Sequence, residues 1–374
     1  MGKLENVVIV LVGFYFNLVA GAGAYERKLP AIFIFGDSAI DIGTNNHLAL
    51  SSAKANFPYN GIDFPHSKPT GRFSNGYNIG DQLAMMFGFK KSPPAYLDLI
   101  NNPSIDLKKK VQRGVNFASA GSGIFYNTGF NTWNEVVPMT KQIEQFGEVI
   151  SNIKVARGPN ATEKVVAKAL HIFCIGSNDF FDYMRAKNNT PKELYQSSVQ
   201  YAYFDHLKNV YNMGGRKFAV MGVPPIGCCP YSRAINQRQG GGDACMPMLN
   251  DFAKDFYNST LMLLQNMTSL LPNFKYSLGN VYDMTMDMLN DYHSYGFNET
   301  KYACCGLGNY NGENGCFDKI NSNLCNNRSD HLFWDLYHPT QAASQLLAST
   351  LFSGDNKYMT PFNFSQLALS KVHI

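Results

Sequence analysis

The chain has 374 residues, 45% of them hydrophobic and 16% charged, with a formal net charge of +4. That composition supplies a sizeable core and excludes a disordered chain. It also excludes a nucleic-acid binder, because the one basic run, Lys108-Lys109-Lys110, reads as a solvated face.

Lys3 precedes an apolar stretch from Val7 to Ala20, and Ala22-Gly23-Ala24 follows as a small-x-small cleavage pattern before Tyr25. Residues 1–24 therefore read as a secretory signal peptide, and residues 25–374 as one domain of a secreted, extracellular protein. No later segment has the roughly eighteen continuous apolar residues that a stable membrane span requires.

The first element after the leader is a buried strand, Ala31-Ile32-Phe33-Ile34-Phe35, which runs into Gly36-Asp37-Ser38. Glycine permits a sharp bend and presents Ser38 at the carboxyl edge of a sheet, where open α/β sheets bind their ligands. The same tripeptide is also an ordinary turn. A second strand, 115–118, opens into the glycine-rich turn Ser119-Ala120-Gly121-Ser122-Gly123, whose N–H groups can approach a ligand. A third, 171–175, ends in Gly176-Ser177-Asn178-Asp179 and offers the Asn178 amide. Strands at 217–221 and 274–278 follow. Helices are predicted at Glu193 to Met213, Met246 to Leu271 and Gln341 to Phe352. Strands alternating with helices give a parallel sheet covered on both faces. The loop-rich segments 41–75, 120–140 and 296–330 shape a cleft.

Ser38 needs a base, and Asp335-Leu336-Tyr337-His338-Pro339 supplies one about 300 residues downstream. Pro339 pushes His338 out of helical geometry, so Asp335 and His338 share a loop ahead of the last predicted helix. There the carboxylate can turn back and orient the imidazole. His331 lies nearby without that spacing and is set aside.

Seven Asn-x-Ser/Thr sequons, at Asn160, Asn188, Asn258, Asn266, Asn298, Asn327 and Asn363, suit a secreted glycoprotein, with Asn266 the weakest because it sits in an apolar helical stretch. The eight cysteines suit an oxidising compartment. One bridge is expected among Cys228, Cys229 and Cys245, and one among Cys304, Cys305, Cys316 and Cys325, with Cys174 a free buried thiol. Without a Cys-x-x-Cys pair, a zinc site is not expected.

Gly36-Asp37-Ser38, the glycine turn, Gly176-Ser177-Asn178-Asp179 and Asp335-x-x-His338-Pro339, in that order, resemble the GDSL esterases and lipases, also called SGNH hydrolases. Asp41-Ile42-Gly43-Thr44-Asn45-Asn46, Gly71-Arg72-Phe73-Ser74-Asn75-Gly76 and Gly222-Val223-Pro224-Pro225-Ile226-Gly227-Cys228 are similar to the plant secreted branch. The resemblance implies a flavodoxin-like three-layer α/β/α sandwich with a central, mainly parallel five-stranded sheet. It assigns Ser38 as nucleophile, His338 as general base and Asp335 as its orienting acid. The Ser38 N–H, either Gly121 or Gly123, and the Asn178 side chain become the oxyanion donors. Ala39 stands where the family has its name-giving leucine, a residue expected to pack behind the nucleophile.

The implied activity is hydrolysis of a small-molecule or lipid ester through an acyl-enzyme, without a cofactor or metal, by a protein read by default as a monomer. An acyltransferase with the same acyl-enzyme is the alternative. A secreted binding or defence protein on an inactivated scaffold ranks below both, because no triad member is missing.

Overall fold

The computed structural model describes residues 29–186, 189–316 and 322–373. The predicted leader, 1–24, and the sequon at Asn188 lie outside the described residues.

Five parallel strands carry the core: β1 (Ile32–Gly36), β2 (Gly114–Asn116), β3 (Leu170–Cys174), β4 (Lys217–Met221) and β5 (Lys275–Gly279). Strands buried on both faces are continuously apolar, and β1 is buried at every position. A two-stranded ribbon, β6 (Cys305–Gly306) with β7 (Asn323–Leu324), stands apart. A short antiparallel strand, β8 (Met359–Thr360), joins the edge of the main sheet, whose order is β2-β1-β3-β4-β5-β8. The five expected strands are therefore present and a sixth is added. No local pattern marks β8, because two residues become a strand only by pairing with Leu278 and Gly279.

Helices flank the sheet. The Ile79–Met86 helix packs on Gln341–Ser353, while Met139–Arg157, Lys192–Asn212 and Pro247–Leu270 pack in succession. The three predicted helices begin and end within one residue of their expected bounds. Strand β2 ends earlier than expected, because the chain peels away while Phe117 and Ser119 still donate to Ile34 and Gly36.

The register places Gly36, Cys174, Met221 and Gly279 side by side at one edge. In the order 2-1-3-4-5 the chain reverses direction of travel between β1 and β3. Such a switch point leaves a crevice beyond the strand ends, where ligands bind.

Three disulfides pin the loops: Cys228–Cys245, Cys304–Cys325 and Cys305–Cys316. The second cysteine group thus holds two bridges rather than the one expected. Neighbouring residues of an extended segment point to opposite sides, so Cys304 and Cys305 reach different partners. Cys174 is free as expected but only half-buried, and Cys229 is a second free thiol.

Candidate active site

Ser38 follows β1 directly. Gly36 makes the approach possible, since a Cβ there would lie 2.1 Å from the Cys174 carbonyl oxygen. Its backbone is held by Gln142, whose Oε1 accepts from the Gly36 N–H and whose Nε2 donates to the Gly36 carbonyl, both at 2.9 Å. The Ser122 hydroxyl also donates to that carbonyl at 2.9 Å. Gln142 is a supporting residue that the sequence reading missed, one amide on the buried face of a long helix.

The loop before the Gln341–Ser353 helix brings His338 across the sheet edge. His338 Nε2 lies 2.7 Å from Ser38 Oγ, and His338 Nδ1 lies 2.8 and 2.9 Å from the two Asp335 oxygens. Asp335 also accepts the backbone N–H groups of Tyr337 at 2.9 Å and His338 at 2.8 Å, which fixes the carboxylate inside its own turn. The loop is anchored to the disulfide-bearing segment: Cys304 and Cys305 donate to the carbonyls of Phe333 and Trp334. The Phe73 ring packs 4.9 Å from the imidazole. Arg72, beside it, is held by a buried bidentate pair with Asp81. His331, set aside above, pairs with Asp330 instead.

The glycine turn is suspended between two buried carboxylates. Asp41 accepts the Ala120 N–H at 3.0 Å, as well as those of Gly43 and Thr44. Asp179 accepts the N–H groups of Ile124 at 2.8 Å and Phe125 at 3.0 Å, and the Thr128 hydroxyl at 2.7 Å. Gly121, between these anchors, has φ +83° and abuts the Trp133 indole, which a Cβ would meet at 2.4 Å. Asn178, on the first turn of the Ser177–Arg185 helix, donates one amide hydrogen to the Ser122 carbonyl at 3.0 Å. Among the described residues, nothing accepts from the backbone N–H of Ser38 or Gly121.

A cavity of about 320 Å³, within the usual range for small-molecule sites, opens over this arrangement. Ser38, His338, Asp335, Gly121 and Asn178 all line it. Gly123 is not among its lining residues. It packs against Asp179, whose oxygens a Cβ would meet at 2.6 Å. The three loop-rich segments contribute Phe57 and Phe73, Trp133, and Glu313 to Cys316. Ala39, expected behind the serine, also lines the cavity.

Burial pushes the Asp37 carboxyl up to about 7, against the Ala39 N–H and the neighbouring His338. Burial likewise pushes Asp41 and Asp179 up to about 6, against the donors that favour their ionised forms. An unperturbed carboxyl titrates near 3.8. Between about pH 4 and 7 these three carboxyls therefore hold more protons in the folded chain than in the unfolded one, and their contribution to stability falls as pH rises, against the smaller opposite contribution of His171 and His206, which burial pushes down. Thermal unfolding should accordingly show a higher midpoint at about pH 5 than at about pH 8, with a smaller difference in Asp37→Asn. A midpoint that climbs over that interval contradicts the sign.

A family model described as GDSL-like lipase/acylhydrolase matches residues 32–351. GDSL esterase/lipase At5g55050 of Arabidopsis thaliana is 35% identical over 362 residues, covering 94% of each chain. GDSL esterase/lipase LTL1 of the same plant is 34% identical, covering 92% of this chain and 93% of its own. GDSL esterase/lipase At3g50400, also from Arabidopsis thaliana, is 36% identical over 96% of both. With the doubly wound sheet, these likenesses define the class as carboxylic ester hydrolases of the GDSL type. The chain belongs to the GDSL-like lipase/acylhydrolase family.

Proposed function

We propose that the protein is a secreted serine esterase or lipase that cleaves carboxylic esters through an acyl-enzyme on Ser38. The supporting observation is the unbroken chain from Asp335 through His338 to Ser38 Oγ, closed at 2.7 Å. A hydroxyl attacks only when a neighbouring base takes its proton, and that base needs a partner for its far nitrogen.

With Nδ1–H donated to Asp335, His338 Nε2 accepts the Ser38 proton as Oγ bonds to the carbonyl carbon. The tetrahedral oxyanion faces the N–H groups of Ser38 and Gly121 and the second amide hydrogen of Asn178. The remaining sequence candidate, Gly123, is left out of this role because it packs against Asp179. As the carbon–oxygen bond to the alcohol breaks, His338 returns the proton to the leaving oxygen. Water then repeats the sequence on the acyl-enzyme, deprotonated by the same imidazole, and releases the acid. No cofactor enters these steps. Both ends of the chain contribute to the site, which supports a single catalytic domain after the leader.

A fluorophosphonate probe should label Ser38 in the folded, glycosylated protein, with the adduct located by peptide mass spectrometry. A folded protein that leaves the probe unreacted overturns the assignment.

Secretion is supported by the three disulfides and by five sequon asparagines that are exposed: Asn160, Asn258, Asn266, Asn298 and Asn327. Asn266, the weakest sequence candidate, faces solvent on the Pro247–Leu270 helix. Asn363 is the exception. It is buried, caps the Phe364–Leu369 helix through the Gln366 N–H, and donates to the Gly354 carbonyl. A glycan bonds to Nδ2, the buried nitrogen that donates to Gly354, so it cannot attach without displacing that contact. Glycopeptide mapping of the secreted protein should find sugar at the exposed positions and none at Asn363, and a sugar there contradicts the argument.

A further inference from the structure

Asn178, Phe181 and Arg185 occupy positions i, i+3 and i+7 of the Ser177–Arg185 helix, so they share one face, and all three line the cavity. At 1.5 Å of rise per residue, the Cα atoms of Asn178 and Arg185 are about 10 Å apart along the axis. The helix thus sets a spacing inside the cavity, with an amide at one end, an aromatic ring between and a guanidinium at the other.

Arg185 is largely enclosed, its side chain 21% exposed. Its guanidinium lies 5.4 Å from the centroids of both the Phe181 and Tyr231 rings. It donates to the Tyr231 hydroxyl at 3.4 Å, the Tyr337 hydroxyl at 3.3 Å and Asp182 at 3.2 Å. These three contacts are long, and a guanidinium has five N–H donors. Asp182 is itself divided, since it accepts the Gly129 N–H at 2.7 Å and the Thr132 hydroxyl at 3.3 Å. Tyr337 immediately precedes His338, and the two rings are 6.0 Å apart. A planar fork with donors to spare, walled by aromatic rings, matches a carboxylate in two-point geometry, and the pairing is stronger where water is displaced.

We propose that Arg185 is a specificity residue that selects esters bearing a carboxylate at the end of a spacer reaching along this helix face from Asn178 to the guanidinium. In that pose Phe181 lies beneath the spacer and the carbonyl oxygen sits at Asn178. The proposal rests on the esterase reading above. The carboxylate can belong to the acid or to the alcohol half of the ester, and separate substrate pairs distinguish the two.

For the acid half, the 4-nitrophenyl monoester of suberic acid is compared with 4-nitrophenyl octanoate. For the alcohol half, the O-acetyl ester of 8-hydroxyoctanoate is compared with octyl acetate. In at least one pair the wild-type kcat/KM should favour the anionic member by about tenfold or more, the scale of a charge-assisted pair. The preference should shrink as salt is raised. Arg185→Met should cut the anionic-to-neutral ratio by about the same factor, and Arg185→Lys should restore part of it. A brace that merely holds Tyr231 and Tyr337 in place would lower both members equally, and an unchanged ratio overturns the proposal. If Arg185→Met does not fold, the wild-type ratios and their salt dependence decide: neutral preference in both pairs is the negative result. Should Ser38→Ala hydrolyse these esters like wild type, the esterase reading falls separately. Calorimetric binding of free suberate, weakened or not by Arg185→Met, then tests the anion site alone.

Discussion

Replacing Ser38 by alanine should lower kcat/KM for 4-nitrophenyl esters by about ten-thousandfold or more while leaving the fold intact. Ser38 is half-buried at the cavity wall, so losing its hydroxyl empties no core position. In the proposed mechanism, what disappears is the step in which the enzyme forms a bond to substrate. His338→Ala should fall to a similar level, because an unassisted hydroxyl at neutral pH is a weak nucleophile. The double variant should be no slower than the worse single one, since residues that act in one proton transfer are not additive. The residual rate would come from donors that still hold the oxyanion. Measured kcat/KM values that multiply across the two substitutions, or wild-type turnover by Ser38→Ala, would place the nucleophile elsewhere.

The parts of this site that could be read before the structure are those with a local physical signature. The run that became β1 is apolar throughout because both faces are covered, those that became β3 and β4 are apolar but for His171 and Lys217, and each is followed by a polar or glycine turn. Pro339 marked the loop that carries Asp335 and His338 by disfavouring helix at His338. Residues with no such mark stayed hidden. Gln142 looks like any helical glutamine, yet its amide bridges the N–H and the carbonyl of Gly36. Asp41 and Asp179 were visible as letters in recurring blocks, but not as the two anchors of the glycine turn. The choice between Gly121 and Gly123 depends on which side of that turn faces the cavity, a matter of long-range packing against Trp133 and Asp179. The cysteine pairing was likewise set by the direction of two adjacent side chains rather than by spacing. Arg185 gave no signal, because its neighbours Tyr231 and Tyr337 come from segments far along the chain.

Asn178→Ala should reduce kcat by about a hundredfold to a thousandfold with little change in KM. The reason lies in when its hydrogen bond matters. One amide hydrogen is committed to the Ser122 carbonyl at 3.0 Å, which holds the side chain at the edge of the cavity before substrate arrives. The other can meet the carbonyl oxygen, weakly in the neutral ester and strongly once that oxygen carries charge, so the loss falls on the transition state. The substitution also releases the Ser122 carbonyl, so the unfolding midpoint must be measured alongside the kinetics. Asn178→Asp is the sharper test. It keeps the shape of the side chain, replaces the donor with an acceptor and places negative charge beside the developing oxyanion. It should therefore turn over no faster than the alanine variant. If Asn178→Asp retained wild-type kcat, or if either change acted only on KM, the oxyanion would have to be stabilised by the two backbone N–H groups alone.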